Sequence, residues 1–151
     1  MTISRRMDRQ GLVTTQISGK ITLADVMNSI LELGELTAYS DELWEIVLLE
    51  DNITIENDHR IRLEIAHGAK EIVQFKSRGA IAIVSLAGVM ENWAESIAEL
   101  LRGDSVPVTV FDDEAQARKW LSIHMEHSLF EKTTMRSFKR GDEPPARNDR
   151  R

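Results

Sequence analysis

The chain has 151 residues, 42% hydrophobic and 29% charged, with a net charge of −6 and no cysteine. That is enough for one soluble domain with a real core, and it excludes a disulfide framework, a thiolate metal site and a thiol nucleophile. Met1 to Arg6 lack the apolar stretch of an export signal, and no apolar run approaches the roughly 20 residues of a membrane span, so a cytoplasmic location is expected.

The charge is unevenly placed. Residues 131–151 hold seven Lys/Arg and four Asp/Glu, a net +3, which leaves 12 basic and 21 acidic residues in 1–130. An acidic body lacks the clustered cations that phosphate contacts require, so nucleic acid is not expected as a partner.

In chain order, Ser4 to Asp8 reads as a short polar strand. Gln10-Gly11 is a turn in which Gly11 can take a positive φ, and the β-branched run Leu12 to Ser18 completes a hairpin whose first strand lies at a sheet edge. Thr22 is suited to cap a helix, with Asp25 favoured at its N-terminus. Val26, Met27, Ile30, Leu31 and Leu33 share a face, which predicts an amphipathic helix over 23–37.

Leu43-Trp44-Glu45-Ile46-Val47-Leu48-Leu49 follows, and its unbroken run from Ile46 to Leu49 must be covered on both sides. This predicts an interior strand in the middle of the sheet. Ile53 to Glu56 is open to either loop or extended structure. Asp58 can cap a second helix with a stripe at Ile61, Ile65, Ala69, Ile72 and Val73. Gly79 to Leu86 is a second doubly buried strand, its Gly and Ala residues allowing a helix to pack closely. Asn92 to Leu101 is helical, with Trp93, Ile97, Leu100 and Leu101 inward.

Pro107 to Phe111 is a last strand, placed near an edge by its proline. Asp112-Asp113-Glu114 opens a final helix with Ala117, Trp120, Leu121, His124 and Met125 on its inner face. The apolar pattern stops near Thr133. The expected organisation is therefore an α/β domain over 1–130 and a basic, disordered tail over 131–151. The order β-β-α-β-α-β-α-β-α implies a five-stranded, mostly parallel sheet with an antiparallel first strand and four main helices.

Four strand ends, Gly19-Lys20, Asp51-Asn52, Ser85 and Asp112-Asp113, should gather on one edge, where open α/β sheets place their sites. Against a polar site stands plain helix capping, which uses the same residue types at the same places. Glu64-Ile65-Ala66-His67 has the spacing of one half of a di-iron site, which needs two such motifs. His124 and His127 lack a third ligand. Ser85 has no Gly-x-Ser-x-Gly elbow, and no phosphate-binding loop occurs. No metal, cofactor or catalytic set is expected, and the chain is not expected to be an enzyme.

Gly19-Lys20-Ile21-Thr22 after the second strand, and Phe111-Asp112-Asp113-Glu114-Ala115-Gln116-Ala117-Arg118-Lys119-Trp120-Leu121 at the close, resemble the SpoIIAA-like proteins, relatives of the STAS domains. The resemblance spans roughly 4–125. It implies a right-handed β-α superhelix with strands in sequential order, and a regulatory or binding module. Anti-sigma-factor antagonists of the STAS type carry an Asp-Ser-[Ser/Thr]-Gly phospho-acceptor turn after the central strand. Here that turn is Glu50-Asp51-Asn52-Ile53-Thr54, without the Ser-Gly pair, and Thr54 is the nearest hydroxyl.

Two functions from different classes follow. One is a non-enzymatic binding or regulatory module that works without the usual phospho-switch. The other is a carrier or sensor of an apolar small molecule or lipid, held under the last helices. In the second, Trp120, Leu121, Met125, Leu129 and Phe130 could touch a membrane or gate a ligand, although an amphipathic stripe usually faces a core. An enzyme using the Asp51/Asp112 edge ranks below both. The candidate binding residues are Asp51, Asn52, Thr54, Ser85, Asp112 and Trp120. The candidate partners are a protein, an apolar ligand, a membrane surface and a second copy of the chain.

Overall fold

The computed structural model describes residues 2–103 and 105–139, with side chains as far as residue 131. Five strands form one sheet in chain order: β1 (Ile3–Met7), β2 (Leu12–Ile17), β4 (Glu42–Leu49), β6 (Arg78–Ser85) and β7 (Val108–Phe111). Only the β1–β2 pair is antiparallel. The predicted interior strand is the middle one, and the proline-led strand is an edge. A second, two-stranded parallel ribbon pairs β3 (Lys20–Ile21) with β5 (Thr54–Ile55), which resolves the ambiguous Ile53–Glu56 stretch as partly extended.

The β1–β2 turn is built by Asp8, whose Oδ1 accepts from the amides of Gln10 and Leu12, while Gly11 takes φ 88°. Helix α1 (Leu23–Leu36) begins with a reciprocal capping box. The Asp25 amide donates to Thr22 Oγ1 at 3.2 Å, and the Thr22 amide donates to Asp25 Oδ2 at 3.0 Å, satisfying two otherwise orphaned donors. Hydrogen bonds to its carboxylate, from the Thr22 amide foremost and then from the Thr22 and Thr2 side chains, hold the Asp25 carboxyl below its ordinary value.

Helices α2 (Asp58–Glu64) and α3 (Lys70–Gln74) are joined by a π-helical segment, Ile65–Ala69. Asp58, expected as the cap, is the first helical residue. Asn57 occupies the cap position in the left-handed region with no side-chain cap bond. The Asp58 carboxylate instead receives Arg62 Nε at 3.0 Å and Trp93 Nε1 at 2.9 Å, tying α2 to α4 (Glu91–Leu101).

Alternation along the strands sorts the core into two halves. Leu43, Leu49, Ile81 and Ile83 face α1, the α2–α3 rod and α4. Trp44, Ile46, Leu48, Ala80, Ala82 and Val84 face α5 (Glu114–Lys139) alone, through Ala117 and Leu121. The small Ala80 and Ala82, both fully buried, admit α5 as their composition predicted. Gly79 is needed for a closer contact: a Cβ there would lie 2.0 Å from the Leu43 carbonyl oxygen.

Helix α5 does not stop where its apolar pattern does. Residues 131–139, expected as the beginning of a disordered tail, are helical. No Gly or Pro intervenes before Gly141, and each further residue adds a hydrogen bond to a helix already nucleated. Residues 140–151 of the expected tail lie outside the described residues.

Candidate functional site

The six residues singled out from the sequence do not converge on one pocket. Asn52 Oδ1 accepts from the Gly19 amide at 3.3 Å, joining the turns after β2 and β4. Ser85 is fully buried, and its Oγ accepts from the Met90 amide at 2.8 Å. Asp51, Thr54 and Asp112 are exposed, and the neighbouring Asp113 caps α5 through the Ala115 amide. Trp120 is half-buried, packed against Phe111 and edge-on to His124. Leu121 is 1% exposed, whereas Leu129 and Phe130 are 63% and 71% exposed, so the inner face of α5 splits along its length.

A hollow lies elsewhere, on the face of the sheet away from α5. A cavity of about 120 Å³, partly open to the surface, is lined by Val47, Leu49, Ile81 and Ile83 of the sheet, Ile30 and Leu33 of α1, Ile65 and Ala69 of the π-helical segment, and Trp93 and Ile97 of α4. The ribbon β3–β5 closes one side with Ile21 and Ile55. An apolar ligand was expected under the last helices. This hollow lies under α4 and the earlier helices, because Ala80 and Ala82 let α5 close on the middle of the sheet while larger groups hold the others off. A separate groove runs beside α5 between Trp44, Met125 and Leu129. None of the six sequence candidates lines the hollow.

The π-helical segment matters to this wall. One extra residue per turn shifts the stripe of inward side chains, and Ile65 and Ala69, at the two ends of the segment, both border the cavity. The rod meets α1 at Gly68, where an added Cβ would stand 3.1 Å from Ile30 Cγ2. The helices are thus as close as they can come at one point and parted over the hollow.

One wall of this otherwise apolar cavity is charged. Glu45, in the middle of the central strand, is only 4% exposed. Thr15 Oγ1 donates to its Oε2 at 2.6 Å, and Arg5 Nη2 stands 3.6 Å from the same oxygen. Arg5 Nε donates to Thr15 Oγ1 at 3.0 Å and Nη1 donates to the Ser29 carbonyl, with Glu32 3.5 Å away. A carboxylate inside a core is tolerable only when paired and hydrogen-bonded. Cross-strand register supplies the partners, with Arg5 opposite Thr15 and Val13 opposite Glu45.

This trio was legible but unread. Counting by twos along β4 puts Glu45 on the same face as Leu43, Val47 and Leu49. A charge there demands a countercharge on that face, and Arg5 on the hairpin's polar-looking first strand is one. Reading Ser4 to Asp8 as merely polar hid it.

Elsewhere, Lys76 is buried and donates to the Thr37 and Ser40 carbonyls at 2.6 and 2.7 Å, stapling the end of α1. Burial pushes its ammonium pKa down. Among the described residues, no group of three His, Asp or Glu is placed to hold a metal ion, and no helix is long and apolar enough to cross a membrane.

A comparison with curated proteins gives no match. A family model described as SpoIIAA-like matches residues 12–122, from the second strand to the third turn of α5 and including every strand of the main sheet but the first. With that match over most of its length, and with the five-stranded mixed sheet just described, the chain belongs to the SpoIIAA-like, STAS-related family.

Proposed function

We propose that this STAS-type module binds a small apolar molecule, as its carrier or sensor, in the hollow between the sheet and α1, the α2–α3 rod and α4. The observation that carries this reading is the cavity itself: about 120 Å³ of space between the sheet and the helices, lined mostly by apolar side chains. Protein interiors are packed like organic crystals, and a void forfeits the dispersion contacts of its lining. An apolar cavity of roughly 150 Å³ stays dry and takes up benzene, so water is a poor occupant here and an apolar guest a good one. Ligand sites of this type are concave, mostly apolar and carry few polar groups.

The test is native mass spectrometry of the protein purified from source lysate, paired with melting in the presence of toluene. A retained small-molecule mass, or a melting temperature that rises with toluene concentration as mass action requires, is the expected result. No retained mass together with an unmoved melting temperature would overturn the reading.

A further inference from the structure

We infer that Glu45 is the recognition residue of this cavity, and that the ligand is a compact, uncharged molecule with one hydrogen-bond donor, of the phenol or alcohol class. This rests on the proposed function above and adds the chemical class. Only one of the two Glu45 carboxylate oxygens is occupied: Oε2 accepts from Thr15 and faces Arg5. The other, Oε1, receives no hydrogen bond from any described residue. No fully enclosed side-chain oxygen among the described residues lacks a partner, so Oε1 borders open space, and the open space that Glu45 lines is the cavity. The residue is 96% buried by the same measure that leaves it 4% exposed. A free acceptor thus faces a mostly apolar hollow, where leaving it unmatched is costly.

The surroundings narrow the class. A water at Oε1 would need two to four polar partners. Beside Glu45 the lining offers Arg5 and Thr15, both already engaged, and Ser29, and the rest is almost wholly Val, Ile and Leu. An anionic ligand would lie against the Glu45 charge, and the Arg5 guanidinium is already engaged by Thr15, Ser29, Glu45 and Glu32. A cationic ligand would add a second buried positive charge beside Arg5, with Glu45 the one buried carboxylate of the two that face that guanidinium, Glu32 being half exposed. A neutral O–H or N–H donor satisfies Oε1 without disturbing the pair. About 120 Å³ suits a single ring and is too small for the acyl chain of a membrane lipid.

The test is an NMR titration of the full chain with phenol, with toluene (the same shape without the hydroxyl) and with benzoate. Both neutral probes should perturb Val47 and Ile83, with phenol binding at least about tenfold more tightly and benzoate not competing. The side-chain carboxyl carbon of Glu45 should move with phenol and stay with toluene. In Glu45→Gln the advantage of phenol should shrink to about threefold or less. Equal binding of phenol and toluene, an unmoved Glu45 carboxyl carbon, or tighter binding of benzoate would overturn this inference and leave the proposed function standing. Failure of all three probes to bind would overturn both. If Glu45→Gln does not fold, the carboxyl-carbon shift in the unaltered protein decides.

Discussion

Beneath α5 the sheet presents alanines at positions 80 and 82, and the helix answers with Ala117, all three fully buried. Across the sheet the same strands present Ile81 and Ile83, and three helices arch over them around a cavity of about 120 Å³ with a buried ion pair in its wall. The two faces share strands, register and twist, yet around Ala80 and Ala82 one is closely packed, whereas the other is hollow at the same level. Side-chain volume explains the difference: small residues permit one helix to approach, whereas large ones, the α1–Gly68 contact point and the π-helical segment keep the others apart. The close-packed half supplies stability, and the hollow half forfeits some of it in lost dispersion contacts.

The largest effect should come from breaking the charge in the hollow wall. Arg5→Met leaves Glu45 buried with Thr15 as its remaining partner, and the expected loss is about 3–5 kcal/mol. Urea unfolding measures it, and a loss under about 1 kcal/mol would mean that Glu45 reaches water.

A matched pair of enlargements sharpens the contrast further. Ala82→Leu forces three extra carbon atoms under α5 and should cost about 1–3 kcal/mol. Val47→Ile adds one methylene toward the cavity and should be neutral or stabilising by up to about 0.8 kcal/mol, while weakening toluene binding. Equal destabilisation by both would erase the distinction between the faces.

A smaller effect concerns the first helix over the hollow. Because the folded Asp25 carboxyl lies below its ordinary value, its contribution is complete above the unfolded pKa and is lost as pH falls through the folded one. Asp25→Ala should therefore cost about 0.5 kcal/mol near neutral pH, and the difference from the unaltered protein should vanish under strong acid. A difference that persists in acid would assign the loss to something other than the charge.

The smallest effect on stability is expected outside both faces. Asp51 is exposed at the end of the central strand, where the phospho-acceptor turn of the STAS antagonists would stand, and it presents a fixed charge of about half that of phosphoserine. Asp51→Lys should leave the melting temperature within about 1 °C and weaken capture of a protein partner if this edge is a contact surface. Undiminished capture, or stoichiometric phosphorylation at Thr54, would return the edge to turn and cap duties such as those of Asn52 and Asp113.

Local patterning determined much of this protein by itself. The run Ile46 to Leu49 required cover on both sides, so β4 had to be interior. Thr22 with Asp25 carried a helix start, Gly11 a turn, and Pro107 an edge, because each depends on a few neighbouring residues and on the period of the element they sit in. The family, too, was legible in Gly19–Thr22 and Phe111–Leu121. What only the tertiary structure decided was where the helices fail to meet. A cavity is the difference between two large volumes contributed by residues from β1 to α4, and no local pattern encodes a difference. For Arg5, Thr15 and Glu45, which lie 10 to 40 positions apart in sequence, the strand period marks Glu45 as inward and in need of a countercharge, but the tertiary structure alone chose its partners. Their hydrogen bonds exist because register brings β1, β2 and β4 side by side, and register is a property of the assembled sheet.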